Sequence, residues 1–530
     1  MIEKMQNSRS KQDYSDLLKA GFEYYRKGLF DKAKDIFEKI VEYDKENIDA
    51  LFFLGVVYYE LKSYDKSLNY FEKALSYSDR NPIVYVNMGT VYKEIGDFEN
   101  AFLCYQKAIK IDPAFTEAYN HLGTLYQETR QFDIAEEYYK RALSLNPNFA
   151  DAYYNIGTIL KEKELFDDAQ EYILKALSLN PLHREGLVNL GDIQKEKGEM
   201  SKGLGYYKQA ISVSPDYPEA HFNLACVYLL LGNFEEGWAE YEWRWKTKEF
   251  EALRRDFGKP RWYGEEIRGK RIFLTCEQGL GDAIQFVRYA KRVKDLGAEV
   301  ILEVPKVLHR LFMCVEGIDS LVIVGSEVPN FDVYCPLLSL PYVFRTNLET
   351  IPNEVPYIKV NSETIEMWRE KIEKGKDRLN VGIAWTGNPK HKRDKYRSIR
   401  LEKFAIFNEL KGVRFYSLQV GVGSEQLKEV GSKFEIVDLT GEIKDFFDTA
   451  GLIMNLDLVI TVDTSVAHLA GALGKQVWVF IPFVPDWRWM LNREDSPWYP
   501  TMRLFRQNER NDWDSVIKRV YEELGKLVNK

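Results

Sequence analysis

From Tyr14 to Glu251 the apolar residues fall at helical spacing in short runs, and the runs themselves recur every 34 residues. Gly21, Gly55, Gly89, Gly123, Gly157 and Gly191 share one register, with Ala225 in the next place. Tyr24, Tyr58, Tyr92, Tyr126 and Tyr228 keep the same step. A second small-residue register holds Ala33, Ser67, Ala101, Ala135, Ala169, Gly203 and Gly237, and in most copies an aromatic follows four residues later, as in Phe37, Phe71, Tyr105 and Tyr139. Pro113, Pro147, Pro181 and Pro215 close four of the copies. The small residues let two helices approach, the aromatics fill the space between them, and proline cannot continue a helix. The pattern predicts seven helical hairpins over residues 14–251, each unable to bury its apolar face alone and so stacked on its neighbours in a superhelix. Residues 1–13 carry no such pattern and are expected to be a flexible N-terminus.

After Trp245 the period is lost, and residues 252–270 read as a connector. From Arg271 buried-strand and helix patterns alternate: RIFLTC (271–276), a helix over 283–296, AEVILEV (298–304), then short apolar runs at 321–324 and 332–334. A second series begins near Leu379 with NVGIAWTG, VRFYSLQVG, FEIVDLTG, LDLVITVDT and QVWVFIP, with a helix over 465–473. Strands alternating with helices imply parallel sheets. The expectation is two α/β units, 271–375 and 376–530.

Composition narrows the function classes. A chain of 530 residues is too long for one core. A net charge of −8 with interspersed signs argues against nucleic acid as a partner. Cys104, Cys226, Cys276, Cys314 and Cys335 form no CxxC pair and sit in apolar segments, so buried thiols in a reducing compartment are expected, not a zinc site. No uninterrupted apolar run reaches membrane-spanning length, and the first residues have no signal-peptide core, so a cytoplasmic location is expected.

The repeats are of the tetratricopeptide (TPR) type. Asn87, Asn155, Asn189 and Asn223, with His121 in the fourth copy, share one position on the first helix of each hairpin. Their side chains can hydrogen-bond the backbone of an extended peptide in the concave groove. The ladder resembles that of the eukaryotic O-GlcNAc transferases; asparagine is also common at this position in TPR repeats generally. A protein or peptide partner in the groove is expected.

Two segments carry a resemblance in the C-terminal half: QGLGDAIQFVRYA (278–290) and DLVITVDTSVAHLAGALGKQVWVFIP (457–482). They resemble the heptosyltransferases of glycosyltransferase family 9. The tail PFVPDWRWMLNREDSPWYPTMRLFRQ is similar to that of bacterial TPR proteins fused to such a domain. The layout is also similar to the O-GlcNAc transferases. The resemblance implies a GT-B fold, two Rossmann-like halves around a cleft, with 271–375 on the acceptor side and 376–530 on the nucleotide-sugar side. It implies inverting transfer from a nucleotide-diphosphate sugar without a metal or cofactor. Asp282 matches the family's general base; an aspartate there is equally a helix cap. At the VDTSVAH turn the amides of Thr464, Ser465 and Val466 are candidates to hold the diphosphate, Asp463 to contact the donor sugar, and His468 to donate to phosphate or to orient the loop. In the basic loop 390–400, Lys392, Arg397 and Ser398 are candidates to neutralise the leaving group. Gln419 is a candidate for the nucleotide base.

Three alternatives stay open. The Gly279–Ile284 loop, with Glu303 ending the next strand, imitates a dinucleotide fingerprint but lacks its third glycine. The chain can be a TPR adaptor whose GT-B domain is catalytically inactive. It can also be an enzyme acting on lipopolysaccharide or another glycan. The sugar and nucleotide are not specified by these residues.

Overall fold

A computed structural model describes residues 14–372 and 378–528. The expectation for residues 1–13 and the domain boundary at 375/376 lie outside the described residues. Fourteen helices run from Tyr14–Arg26 to Phe234–Tyr241; the first ten pair in sequence as five hairpins, and Pro218–Leu231 pairs with Phe234–Tyr241. The 34-residue register has a direct steric cause. A Cβ at Gly123 would stand 2.4 Å from the Tyr139 ring, and the equivalent atom at Gly55 would stand 2.5 Å from Phe71. Only glycine admits the ring of the second helix at this distance. The ring's polar end is also used: Tyr139 Oη donates to Gln127 at 2.7 Å. Helix starts follow from local chemistry. The Asn47 and Asp97 side chains accept from Ala50 and Asn100 backbone N–H groups, and Pro82 and Pro218 sit in first turns where no N–H is needed.

Internal packing divides the chain into two compact units, Met1–Ile193 and Gln194–Lys530. The last hairpin, Pro218–Leu231 with Phe234–Tyr241, therefore belongs to the same unit as the sheets, ahead of the expected connector. Its Trp238 is 2% exposed, donates from Nε1 to the Thr346 carbonyl at 3.0 Å, and meets the edge of Trp487 at 5.2 Å between ring centroids.

The second unit holds ten strands among the described residues: β1 Arg271–Thr275, β2 Glu299–Val304, β3 Ser320–Ile323, β4 Val333–Pro336, β5 Leu379–Ala384, β6 Val413–Ser417, β7 Ile436–Val437, β8 Leu458–Val462, β9 Val477–Ile481 and β10 Met502–Arg506. They form two sheets, ordered β3-β2-β1-β4 and β10-β9-β8-β5-β6-β7. All ladders in both are parallel. Strands buried on both faces read as unbroken apolar runs, as in β9. Phe404, Phe407, Phe480, Trp513 and Val520 fill the core of the larger sheet.

Three local expectations are corrected. The helix over 283–296 is two, Leu280–Phe286 and Tyr289–Asp295, separated at Val287 and Arg288. The buried Arg288 guanidinium donates to the carbonyls of Pro352 and Trp498 and to Tyr357 Oη at 2.7–2.9 Å, anchoring the break. The FEIVDLTG run yields only the two-residue β7. β10, in the tail, was not anticipated as a strand.

A fragment of residues 194–530 is expected to unfold in one cooperative thermal transition with native-like circular dichroism. A fragment starting at 252 loses Trp238, leaving its partners Thr346 and Trp487 uncovered, and is expected to aggregate or melt broadly; equal behaviour of the two would place the folding boundary at the connector instead.

Candidate functional site

In each sheet the strand order reverses beside the first strand, β1 against β4 and β5 against β8. Crevices form outside the carboxyl ends of parallel strands at such points. A cleft of about 840 Å³ lies there, entirely within the second unit. It is lined from β1 by Glu277–Asp282, from β5 by Thr386–Pro389, from β6 by Leu418–Val420, from β8 by Asp463–Val466 and His468, and from β9 by Val484–Arg488.

Asp282 sits in the first turn of Leu280–Phe286. Oδ2 accepts from the Gly279 N–H at 2.8 Å, and Oδ1 is paired with the Arg488 guanidinium. The cap role and a position in the cleft therefore coexist in one residue. Arg488 is the hub of this wall: it also donates to Asp486 Oδ1 at 2.8 Å and Gln285 Oε1 at 2.7 Å, and its guanidinium lies 4.2 Å from the Trp487 ring centre. On the opposite wall the helix Ser465–Ala472 follows β8, with Thr464 as its extended N-cap. Its leading N–H groups have no acceptor within the helix. The two walls touch at Gly281, where a Cβ would stand 2.8 Å from His468 Cδ2.

Burial dominates the titration of these groups. It raises the Asp463 carboxyl, aided by Asp486 and opposed by Arg397, to about 6. Burial also opposes the charge on Asp486, but Arg488 holds that carboxyl below its usual range. His468 is pushed down to about 3 by burial and by Arg488, so its ring is neutral at physiological pH; Nδ1 lies 3.0 Å from Tyr499 Oη.

Asp282, Asp463, Thr464, Ser465, Val466, His468, Arg397 and Gln419 all line the cleft. Gln419 already has partners: Oε1 accepts from the Trp385 and Thr386 amides, and Nε2 donates to the Val422 carbonyl. Lys392 and Ser398 are not brought to the cleft. Lys392, its side chain 82% exposed, pairs at 2.7 Å with Glu249, which lines the cleft, and Ser398 Oγ donates to Asp394 and accepts from the Gly387 N–H. The neighbouring Arg393 and His391 line the cleft instead. Arg393 is fixed by Glu196 and by the Val484 carbonyl. Sequence reasoning passed over Glu277, Arg393, Asp486 and Arg488. The run Asp486-Trp-Arg-Trp, charges set between tryptophans in an apolar stretch, was the available signal for a buried ion pair.

On the first unit the amide ladder is part of the array's own network. Asn155 Nδ2 donates to Asn120 Oδ1 at 3.0 Å, Asn189 Nδ2 to Tyr154 Oη at 3.1 Å, and Asn87 Nδ2 to the Ile83 carbonyl. His121 stacks on Tyr105 at 5.3 Å, and burial lowers it to about 4. Asn223, in the second unit, is half-buried on Pro218–Leu231.

Models described as tetratricopeptide repeat match residues 17–47, 48–81, 116–149 and 138–171, and one described as TPR repeat matches 89–129 and 191–232. The helical half is built of TPR repeats. The chain is 26% identical over 325 residues to Protein FlbA of Caulobacter vibrioides, covering 56% of this chain and 53% of that protein. It thus spans about half the length of this relative. Among solved structures, MamA is 28% identical over 30% of this chain and 94% of its own, with a TM-score of 0.27. PilW, described as a widely conserved type IV pilus biogenesis factor, is 24% identical over 41% and 100%, with a TM-score of 0.35. No described helix is long and apolar enough to cross a membrane.

Arg488→Leu would leave the Asp282 and Asp486 carboxylates without their guanidinium. A loss of about 3–5 kcal/mol is expected in denaturant unfolding, the range for breaking one side of a buried pair. A loss below about 1 kcal/mol would assign Arg488 the weight of a surface pair.

Proposed function

We propose that the chain is an inverting glycosyltransferase that uses a nucleotide-diphosphate sugar, and that its TPR array recruits the acceptor, a protein or peptide. The observation that carries the reading is the meeting in one cleft of carboxylates from the end of β1 with a free helix N-terminus and guanidinium groups from the larger sheet. Transfer with inversion needs a base for the acceptor hydroxyl on one side of the anomeric carbon and positive charge for the departing diphosphate on the other. The N-terminus at Thr464–Val466 suits the diphosphate. Arg393 and Arg397 add charge, and Asp463, which lines the same cleft, is the residue that the resemblance implies for the donor sugar's hydroxyls. Asp282 is the residue that the resemblance to the family 9 enzymes implies as base. The segments 278–290 and 457–482 and the tail carry that resemblance, with the GT-B arrangement as its implied fold.

A second reading, an adaptor with an inactive domain, draws on the state of Asp282, whose two oxygens each already accept a hydrogen bond. Binding and turnover separate the two. UDP, ADP and GDP should be screened by thermal shift. A ligand at a hundredfold excess over its Kd stabilises by about 2.7 kcal/mol, and Arg397→Ala should remove most of the shift for the nucleotide that binds. Asp282→Asn should leave that shift intact while lowering nucleoside diphosphate release from the matching sugar donor. No shift with any of the three would sink the donor-site reading.

Recruitment has its own test. Deleting residues 1–179, which keeps the helix Arg184–Glu196 and so the Glu196 that fixes Arg393, should leave donor hydrolysis unchanged and abolish transfer to a protein acceptor. Unchanged transfer would show that the array's first unit does not select the acceptor.

A further inference from the structure

The amide ladder stops short of the first two repeats. One step of 34 residues before Asn87 the ladder place holds Phe53, and the place taken by Thr90, Thr124 and Thr158 holds Phe22 and Val56. The rings form one group. Phe22 lies 5.6 Å from Phe53 and 6.5 Å from Tyr25 between centroids, and Phe53 stacks on Phe37 at 5.4 Å. Phe37 is wholly buried in the hairpin core, so it fixes the Phe53 ring from beneath. Phe22 is 41% exposed, and Phe53, Tyr25, Val56 and Tyr59 are half-buried. An isolated exposed ring needs no explanation, but a contiguous group of them marks an interaction surface.

A row of carboxylates runs beside it. Glu60, Glu94, Glu128 and Glu162, again 34 residues apart, end the first helices of the second to fifth repeats, and all four are exposed. The C-terminal end of a helix is the end at which the macrodipole disfavours a carboxylate. Local helix stability therefore does not explain the row, and the negative potential gathered there suits a cation. Among the described residues only Glu128 of the four is in an ion pair, with Lys93 at 3.0 Å. Row and rings adjoin: burial and then Glu60 raise the Tyr25 hydroxyl, and burial followed by Glu94 raises that of Tyr59 to about 12.

We infer that the ladder face of the first two repeats takes an aromatic or long aliphatic side chain of an extended peptide, and that the glutamate row pairs with lysine or arginine of the same peptide. The inference rests on the recruiting role in the reading above and names the chemistry of its partner; it does not depend on the reaction. The first helices of successive repeats touch. Helices in contact lie about 8–10 Å apart, and an extended chain rises about 3.3 Å per residue, so every third residue keeps step with the repeats. The recognised segment is therefore an apolar residue with basic residues at every third place from it. The amides hold its main chain, the rings choose one side chain, and the glutamates repel acidic segments.

The test uses the full chain and fluorescence anisotropy with a labelled peptide about twelve residues long, four repeats at three residues each. The probe carries one phenylalanine, and lysine at every third place from it, in a glycine–serine background. Two controls replace the phenylalanine by serine or the lysines by glutamate. The wild type should bind the probe at least about tenfold tighter than either control. Raising salt from about 50 to about 300 mM should weaken that binding. Phe22→Ser should bind the probe only as well as the wild type binds the serine control. Its affinity for the serine control should be unchanged, a result that general damage to the array would not give. Glu94→Lys with Glu162→Lys, both at exposed positions, should keep the wild-type circular dichroism and lose the preference for lysine and the salt dependence. If the wild type binds probe and controls alike, or its preference for the probe survives Phe22→Ser, the inference is wrong and recruitment by the array stands. Self-association in sedimentation that Phe22→Ser abolishes, with no peptide bound, would overturn it by assigning the rings to a second copy. If the wild type binds none of the three peptides the inference also fails, and the deletion of residues 1–179 decides recruitment on its own. Nucleoside diphosphate thermal shifts should be the same in every variant, so a lack of them tells against the transferase reading alone.

Discussion

A guanidinium cannot be carried into a protein interior alone; it must arrive with carboxylates arranged around it. Arg488 meets that condition with Asp282 from the helix after β1 and Asp486 from its own loop after β9. Because those segments belong to different sheets, the pairing fixes the distance between the two carboxyl edges and thereby the width of the cleft. Buried pairs of this kind contribute less to net stability than to geometry, since desolvation offsets most of their attraction. Packing secures the same joint: Trp487 lies under the guanidinium and turns its edge to Trp238 of the last hairpin. The hairpin is thus a wall of the unit that holds the cleft.

The same logic governs the basic loop. A flexible run of lysines and arginines would be screened by solvent and of little use against a phosphate. Here Glu196 clamps Arg393, and Asp394 holds Arg397 at 3.1 Å, so the charges are placed before any ligand arrives. Preplaced charge avoids reorganisation at the moment of reaction, which is where electrostatic stabilisation gains its size.

What was legible in the sequence follows the range of the interactions concerned. The repeat register could be read because Gly123 and Tyr139 meet within one hairpin, sixteen positions apart, and the contact recurs between Gly21 and Phe37, Gly55 and Phe71, and Gly89 and Tyr105. Asp282, Asp463 and the Thr464–Val466 turn could be read because a strand end followed by a helix start is a local pattern. The choice between Lys392 and Arg393 could not. It depends on Glu249 and Glu196, 143 and 197 residues away, and an irregular loop has no period to show which side chain faces inward. Arg288 broke an expected helix for the same reason: its acceptors, Pro352 and Trp498, are 64 and 210 residues distant. β10 escaped because Met-Arg-Leu-Phe-Arg, with arginines interrupting the apolar run, is the pattern of a sheet edge and lacks the strength of the central strands.

The amide ladder shows how such a network limits what it can recognise. A primary amide has two N–H donors and one oxygen with two acceptor sites. Asn155 spends one donor on Asn120, and Asn189 spends one on Tyr154 while its oxygen accepts from Lys161. The remaining donor and acceptor sites suit single bonds to a peptide backbone, repeated at the spacing of the repeats. An array of this kind would hold an extended chain by its main chain and leave discrimination between side chains to other surfaces.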